Sequence, residues 1–291
     1  VSITLEQSFD DWCAAQLAKH LNKAKDYEFF MKRSAYYRNL HHPETKFFQP
    51  KNSKGEWILP FDPYKYGANG GYPFTEGNGW QYYWYVPQNI PDLIELTGGE
   101  DAFCKRLDEF FTSDETSGAK NDNASGFVGL YAHGNEPSHH IPYLYAWTSQ
   151  PWKTQYWMRE IINRMYRPDI HGLGGNDDCG QMSAWYIFGV LGFYPVCPGS
   201  DQYIIGTPLF KEAKLHLENG KCLTIEAKNN SSANKYIRSI KLNGKNHTLN
   251  YFKHNTLVEG GKIQFFMDNE PNLKRGSTKE AAPYSFSLAN E

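Results

Sequence analysis

The chain lacks the features that mark membrane proteins and nucleic-acid binders. No apolar run in its 291 residues approaches the roughly 18 residues that a membrane-spanning helix needs. Its 30 basic and 32 acidic residues leave a formal net charge of −2, whereas proteins that bind nucleic acids or anionic membranes carry a basic excess. We therefore expect neither a membrane span nor a nucleic-acid partner.

Cysteine is scarce, and several catalytic motifs are missing. The five cysteines are widely scattered, without a CxxC pair or a zinc-type Cys/His spacing, which argues against a disulfide framework. No GxSxG, Walker A or strand-following GxGxxG motif occurs, so serine hydrolysis, P-loop phosphate transfer and nicotinamide binding are disfavoured. The first residues lack the hydrophobic segment of a signal peptide. Because no initiator Met precedes Val1, we expect a processed or truncated piece.

Aromatic residues, by contrast, are abundant. They make up 16% of the chain, whereas charged residues make up only 21%, a composition that excludes an intrinsically disordered protein. Large rings fill the hydrophobic cores of most proteins. They also stack on the apolar faces of sugars in carbohydrate-binding clefts. Composition alone leaves both interpretations open.

The spacing of apolar residues predicts helices in the first two thirds of the chain. Pro91 and Gly98-Gly99 mark the start and the end of one of them. The predicted helices cover residues 5–21, 27–41, 90–96, 100–111, 139–148, 152–166 and 181–193, the last of which we expect to be buried. Because these aromatic helices are joined by long loops, we expect part of a toroid of helix hairpins.

The periodicity changes near residue 200. Apolar and polar residues then alternate with period two, and Asn219-Gly220 and Asn243-Gly244 are strong hairpin-turn signals. The sequence thus predicts a mainly α protein with a C-terminal β region. We place a helical catalytic region at residues 1–200 and a region of antiparallel strands at residues 201–291.

Three loops, each just ahead of a predicted helix, concentrate glycine, asparagine and carboxylates beside aromatic residues. The first contains Glu76, which lies between an aromatic run and the glycines Gly77 and Gly79. A carboxyl group in that setting is partly desolvated, which suits it to donate a proton. The alternative is that Glu76 accepts hydrogen bonds from the N-terminus of the following helix.

The second loop, residues 132–140, holds an amide, a carboxylate and three histidines. His139 and His140 are adjacent and so point in different directions, and no third ligand is spaced for zinc on the same helix. A hard cation held by the oxygens of Asn135 and Glu136 fits better. The alternative is a helix cap, with Ser138 at or near the N-cap position.

The third loop, residues 174–183, places Asp177 and Asp178 side by side ahead of an apolar helix. Two adjacent carboxylates are costly unless they bind a cation or perform acid–base chemistry. An exposed capping loop is the alternative. One carboxyl in a semi-apolar loop and another in a polar loop match the general acid and the general base of a glycosidase.

Longer motifs in the same three loops resemble glycoside hydrolase family 92. They are Thr75-Glu-Gly-Asn with Trp80-Gln-Tyr, Gly134-Asn-Glu-Pro-Ser-His-His, and Gly175-Asn-Asp-Asp-Cys-Gly-Gln-Met-Ser-Ala-Trp-Tyr. The resemblance covers roughly residues 1–215 well and the β region more loosely. It implies an N-terminal β-sandwich followed by an (α/α)6 toroid in the whole family member, of which this chain is expected to be the C-terminal portion. It also implies a calcium-dependent, inverting exo-α-mannosidase.

The resemblance also implies roles for the two main carboxylates. Glu76 is the expected general acid and Asp178 the expected general base, with Asp177 as a neighbouring catalytic carboxylate. Position 176, a second carboxylate in some members, is Asn176 here. An inverting enzyme holds its two carboxyl groups roughly 6.5–9.5 Å apart, because a water molecule must fit beside the sugar.

The remaining site residues are expected to hold the cation and the sugar. Asn135 and Glu136 are expected at Ca²⁺, which can bind the vicinal 2- and 3-hydroxyls of mannose. We expect Trp80, Asn176 and His133 to contact the substrate.

The expected substrates are α-mannosides of N-glycans or mannan, and the expected location is periplasmic or secreted. Cleavage of α-1,2 links is the common activity in the family, so it is our first expectation. Enzymes with that preference often carry a His-Glu pair upstream of the Gly134 motif, and none occurs between Thr112 and His133. The linkage therefore stays open. The alternative function is that of a non-catalytic carbohydrate-binding or structural fragment.

Overall fold

The computed structural model describes residues 1–67, 72–114 and 125–286, which fold as two compact units. The first unit comprises Val1–Ser138 and the tail from Ser285, and the second comprises His139–Tyr284. Helices predominate in the first unit, and the second unit combines helices with sheets. Within these described ranges, no helix is both long enough and apolar enough to cross a membrane.

The first unit is built from α-helices and short 3₁₀ segments. The α-helices are α1 (Ser2–His20), α2 (Ala24–Arg33), α3 (Gly79–Tyr82), α4 (Ile90–Thr97) and α5 (Glu100–Thr112), and the 3₁₀ segments are Tyr36–Leu40 and Glu136–Ser138. Strands β1 (Phe127–Val128) and β2 (Tyr131–Ala132) pair antiparallel. α1 packs against α2, and α4 packs against α5. The helices predicted at 5–21, 90–96 and 100–111 are confirmed.

Helix α4 shows why its sequence predicted a helix. Pro91 lies in the first turn, where a missing N–H costs no helical hydrogen bond. Gly98 ends the helix with a φ of 112°, which residues with a Cβ rarely adopt. Between these ends, Leu93 is fully buried with Trp84 and Phe103. The last two rings meet edge to face at 5.4 Å.

The helix predicted at 27–41 is wrong in part. α2 ends at Arg33, and the chain continues as the separate 3₁₀ segment Tyr36–Leu40. Ser34 explains the break, because its hydroxyl donates to the Met31 carbonyl oxygen at 2.7 Å, and such local bonds compete with helix continuation. The break lets the buried Tyr37 donate its phenol proton to the Asp92 carboxylate.

The second unit carries the remaining helices and the longer strands. Its α-helices are α6 (Trp152–Met165), α7 (Gln181–Leu191) and α8 (His254–Val258), and its 3₁₀ segments are Ile141–Trp147 and Lys279–Ala281. Its strands are β3 (Phe193–Tyr194), β4 (Gln202–Ile205), β5 (Glu212–His216), β6 (Cys222–Lys228), β7 (Tyr236–Leu242), β8 (Lys245–Asn246), β9 (Tyr251–Lys253) and β10 (Gly261–Asp268).

The predicted helices of this unit are partly confirmed. Those at 152–166 and 181–193 are α6 and α7, whereas the segment predicted at 139–148 is a 3₁₀ helix with Pro142 in its first turn. The expectation that α7 is buried is wrong on one face, because Ile187 is 56% exposed.

The larger sheet departs in one strand pair from the prediction of mainly antiparallel strands. Its order is β5-β6-β10-β7-β8, and β6 pairs with β10 in parallel, whereas the other pairs are antiparallel. The hairpins predicted at Asn219-Gly220 and Asn243-Gly244 do connect β5 to β6 and β7 to β8. The parallel pair arises because β10 lies between β6 and β7, which both precede it in the sequence. Local alternation specifies a strand but not such a distant partner.

One apolar cluster joins the C-terminal end of α7 to this sheet. Ile225, Ile240 and Ile263 lie on its buried face with Phe265, and Leu191 at the end of α7 belongs to the same cluster. The apolar residues of the alternating pattern therefore form the core face of the sheet. Helices followed by C-terminal sheets are confirmed, whereas the toroid and the region boundary at residue 200 stay predictions.

Candidate active site

Glu76 lies in the first unit in a left-handed backbone conformation, with a φ of 52°. Few residues other than glycine adopt this conformation, and those that do are mostly Asn, Asp and His. The Glu76 carbonyl oxygen accepts hydrogen bonds from the Tyr66 hydroxyl at 2.6 Å and from Asn135 Nδ2 at 2.7 Å. Side chains from two other segments thus fix the backbone of the predicted acid, and the structure brings Glu76 and Asn135 together.

The residues after Glu76 begin α3 through a capping box. Asn78 Oδ1 accepts from the Gln81 N–H at 3.0 Å, and Gln81 Oε1 accepts from the Asn78 N–H at 3.2 Å. Gly77, which directly precedes the box, leaves room for Tyr82, because a Cβ at this position would lie 2.9 Å from the buried ring of Tyr82. The N-cap of the following helix is therefore Asn78 rather than Glu76.

Trp80, which we expected to contact the sugar, packs in an aromatic cluster. It is 6% exposed, and its ring meets that of Phe47 edge to face at 5.1 Å. The guanidinium carbon of Arg106 lies 5.1 Å from the Trp80 ring centroid and 3.8 Å from that of Tyr83. Burial lowers the pKa of Arg106, while the surrounding ring faces stabilise its charge. A contact between Trp80 and substrate stays a prediction.

The second loop buries most of its predicted residues. His133 is fully buried, and its Nδ1 lies 2.8 Å from the Tyr131 hydroxyl. Asn135 is buried, whereas Glu136 is exposed. The Ser138 N–H donates to the Asn135 carbonyl oxygen at 3.1 Å, which closes the 3₁₀ turn. Ser138 is thus the last residue of a 3₁₀ segment, and the N-cap of the next one is His140, so the alternative of an N-cap at Ser138 itself is wrong. The Asn135 side chain makes the contact with Glu76.

The oxygens of Asn135 and Glu136 are of the kind that Ca²⁺ binds. Because Asn135 Nδ2 donates to Glu76, the side-chain oxygen of Asn135 is the atom left for a cation. In the described part of the chain, no three His, Cys, Asp or Glu side chains are grouped to hold a metal ion. The donor set fits a hard cation that takes further oxygens from water, carbonyl groups or substrate.

The third loop lies in the second unit and presents Asp178 to solvent. Asp178, Cys179 and Gly180 are successive left-handed residues, with φ of 45°, 58° and 96°. The Asp178 side chain is exposed. Asp177, in contrast, accepts hydrogen bonds at Oδ1 from the Ser183 N–H at 3.0 Å and from its hydroxyl at 2.8 Å. One carboxylate thus caps α7, and its neighbour faces outward.

Contacts within the second unit hold the start of α7 in place. Gln181 Nε2 lies 3.1 Å from His139 Nδ1 and 3.2 Å from the Tyr194 hydroxyl. Trp185 Nε1 donates to the His139 carbonyl oxygen at 3.0 Å. These bonds anchor the first turns of the helix that immediately follows Asp178.

The predicted site residues are shared between the two units. The first unit holds Glu76, Trp80, His133, Asn135 and Glu136, and the second holds the exposed Asn176 with Asp177 and Asp178. The separation of the Glu76 and Asp178 carboxyl groups therefore stays a prediction, as do the roles assigned to these residues.

Sequence reasoning missed the bond from Tyr66 to Glu76, the capping box, and the contact of Gln181 with His139. Asn78 and Gln81 match the spacing of a capping box, which was a usable signal. Tyr66 had none, because it lies ten residues from Glu76 in a stretch without periodicity. Gln181 lies in a recognised motif, but its partner His139 is 42 residues away, and no spacing rule connects them.

Comparison with known proteins decides the family. Residues 1–269 match the catalytic domain of glycosyl hydrolase family 92. The chain belongs to this family. The solved family GH92 alpha-mannosidase BT3965 from Bacteroides thetaiotaomicron, in complex with mannoimidazole, is 43% identical over 97% of the chain, with a TM-score of 0.92. The family GH92 inverting mannosidase BT2199 from the same organism is 40% identical over 98% of the chain, with a TM-score of 0.88.

A fungal relative extends the similarity. An uncharacterised secreted glycosidase from Arthroderma benhamiae is 28% identical in an alignment that covers 93% of this chain. The chain spans 36% of that protein and 38% and 39% of the two Bacteroides chains. It therefore covers well under half of the length of these family members.

Proposed function

We propose that the full-length protein is an inverting exo-α-mannosidase that releases mannose from α-mannosides. The observation that carries the proposal is the 43% identity, over nearly the whole chain, to a family GH92 alpha-mannosidase solved with mannoimidazole. The similarity to a structure described as an inverting mannosidase supports the stereochemistry. In the whole protein, the helices are expected to form part of an (α/α)6 toroid.

In this reaction Glu76 donates a proton to the glycosidic oxygen, and Asp178 removes a proton from the water that attacks the anomeric carbon. Both carboxylates occupy left-handed loop positions, and strained residues of this kind cluster at functional sites. The exposed Asp178 side chain is open to a water molecule. Asp177 caps α7 through Ser183 and would support the base by fixing its loop.

Ca²⁺ would be held by the side-chain oxygens of Asn135 and Glu136. When bound, it supplies Lewis-acid binding of vicinal sugar hydroxyls. The support is the donor chemistry, since both side chains offer the oxygens that Ca²⁺ prefers. Asn135 also keeps the Glu76 backbone in place through its nitrogen. Trp80, His133 and Asn176 are proposed to lie around the sugar.

The proposed substrates are α-mannosides of N-glycans or mannan, with the α-1,2 link as the first to test. The description of the fungal relative as secreted supports a secreted or periplasmic location. A panel of α-1,2, α-1,3 and α-1,6 mannobioses, assayed with one enzyme preparation, would rank the linkages.

The stereochemistry of hydrolysis tests the proposal. The full-length protein is mixed with an aryl α-mannoside, and proton NMR follows the anomeric signal of the released sugar. We expect β-mannose to appear first and α-mannose to follow by mutarotation. Initial release of α-mannose would show a retaining enzyme, and binding without release would favour the non-catalytic carbohydrate-binding alternative. The same assay on the isolated chain shows whether it suffices for activity.

A further inference from the structure

The backbone conformation of Glu76 has to be imposed by its surroundings. Its φ of 52° brings the Cβ too close to the following carbonyl group, so side-chain-bearing residues avoid this region. Such residues persist only where neighbouring groups over-determine them.

Two side chains hold the carbonyl oxygen of Glu76. The Tyr66 hydroxyl donates to it at 2.6 Å and Asn135 Nδ2 at 2.7 Å. A carbonyl oxygen has two lone pairs, so the two donors satisfy it completely. Burial and, after it, the charge of Glu76 raise the pKa of Tyr66 to about 12. The phenol therefore keeps the proton that it donates throughout the neutral pH range.

The chain on both sides of Glu76 is fixed by other bonds. The Thr75 N–H donates to Ser2 Oγ at 3.0 Å. The Gly67 N–H donates to the Gly77 carbonyl oxygen at 2.8 Å, and Asn78 is held in the capping box of α3. Bonds before and after Glu76 therefore fix its flanks, and the two bonds to its carbonyl oxygen hold the residue itself.

We propose that Tyr66 and Asn135 are positioning residues that aim the Glu76 carboxyl group by holding its carbonyl oxygen. The inference rests on the proposed function, because it takes Glu76 to be the general acid. Tyr66 and Asn135 act through the backbone and do not touch the reacting atoms. Asn135 serves Glu76 through its nitrogen, independently of any cation that its oxygen holds.

Tyr66→Phe in the full-length protein removes one donor and keeps the ring. kcat and KM are measured on an α-mannobiose, whose leaving group needs an acid, and on a dinitrophenyl α-mannoside, whose leaving group does not. On the disaccharide we expect kcat to fall about tenfold or more, with little change in KM. This loss is part of the roughly 10²–10⁴-fold rate enhancement that a well-positioned general acid supplies. On the aryl substrate we expect a loss below about threefold, because the acid is dispensable.

Asn135→Asp separates the nitrogen from the oxygen of this side chain. The variant keeps an oxygen for a cation but loses the N–H that reaches Glu76. We expect the same loss of kcat on the disaccharide, with a calcium affinity, measured by calorimetry, at least equal to that of the wild type. A loss of calcium affinity that accounts for the loss of kcat would overturn the role assigned to the Asn135 nitrogen.

Tyr64→Phe is the matched control. Tyr64 lies two residues before Tyr66, and its hydroxyl makes no hydrogen bond among the described residues. Its variant should behave like the wild type on both substrates. If Tyr66→Phe also behaves like the wild type on the disaccharide, or loses equally on both substrates, the positioning role is wrong.

Glu76→Gln, assayed in parallel, distinguishes failure of the inference from failure of the proposed function. If Glu76→Gln loses activity selectively on the disaccharide and Tyr66→Phe and Asn135→Asp do not, only the positioning role is overturned. If Glu76→Gln shows no selective loss, Glu76 is not the general acid. Both the proposed role of Glu76 and the positioning role of Tyr66 and Asn135 are then wrong.

Discussion

Residues with positive φ mark both predicted catalytic loops. Among the described residues other than glycine, the left-handed ones are Asn22, Lys46, Glu76, Asp178, Cys179, Asn229 and Asn243. Asparagine and aspartate tolerate this conformation, whereas lysine, glutamate and cysteine seldom adopt it. Lys46 lies outside the two loops, but Glu76 and Cys179 lie in them, and strained residues of this kind cluster at functional sites.

Asp177 provides a stability test at the third loop. Its carboxylate accepts from the N–H and the hydroxyl of Ser183 at the start of α7, so it satisfies one of the unpaired donors of the helix N-terminus. We expect Asp177→Ala to lower the free energy of unfolding by about 1 kcal/mol, the usual cost of a lost cap. Ser183→Ala, which removes only the hydroxyl, should cost less. Equal stability of Asp177→Ala and wild type in thermal or urea unfolding would contradict the cap.

The second loop provides a cation test. Treatment of the full-length protein with EDTA should abolish mannosidase activity, and added Ca²⁺ should restore it, because the proposed Ca²⁺ binds the vicinal hydroxyls of the sugar. Glu136→Gln removes the charge but keeps an oxygen, so it should weaken calcium binding in calorimetry and raise the Ca²⁺ concentration required for activity. Full activity in EDTA together with an unchanged Glu136→Gln variant would exclude this site.

At the scale of secondary-structure elements, β10 provides the central strand of the larger sheet. Phe265 is fully buried in the apolar cluster, whereas its neighbour Phe266 points to the other face and is partly exposed. We expect Phe265→Ala to lower the free energy of unfolding by about 3–5 kcal/mol, as loss of a buried ring does. Phe266→Ala is the matched control and should cost less than about 1 kcal/mol. Similar losses in the two variants would contradict the assigned register.

The parallel pair of β6 and β10 carries an ion cluster with a defined pH dependence. Glu226 accepts from Lys262 Nζ at 2.6 Å, from Lys228 Nζ at 2.9 Å and from Gln264 Nε2 at 3.1 Å. These bonds lower the pKa of Glu226 from 4.5 to about 2. Because the folded state favours the charged form, the stabilisation is complete above pH 4.5 and is lost as the pH falls towards 2.

Thermal unfolding across that window tests the cluster. The unfolding midpoint of Glu226→Gln should lie below that of the wild type at pH 6, and the difference should shrink from pH 4.5 and vanish near pH 2. A difference that stays constant across this range would show that the Glu226 charge does not contribute.

Local signals determined which elements could be predicted from the sequence. Pro91 and Gly98 predicted the ends of α4, and Asn219-Gly220 predicted a hairpin. Such predictions succeed because proline, glycine and short turns determine the backbone conformation within a few residues of themselves. The break at Ser34 depended on a side-chain bond to Met31 that competes with an otherwise plausible helix. The parallel pairing of β6 with β10 depends on packing between distant strands, which alternation does not encode.

The same limit applies to the candidate site. The motifs around Glu76, Asn135 and Asp178 pointed to the family that the match over residues 1–269 shows. The contacts of Tyr66 and Asn135 with the Glu76 carbonyl join segments 10 and 59 residues apart. Only the folded chain brings such partners together, so they were beyond the reach of motif spacing.

For the whole molecule, the central claim is that Glu76 is the general acid and Asp178 the general base. The most direct test is the kcat of Glu76→Gln and Asp178→Asn in the full-length protein, on an α-mannobiose and on a dinitrophenyl α-mannoside. Both variants should lose about 10²–10⁴-fold on the disaccharide. The aryl leaving group should restore most of the activity of Glu76→Gln and none of that of Asp178→Asn, because it replaces only the acid. Equal restoration of both variants, or no loss in either, would contradict the claim.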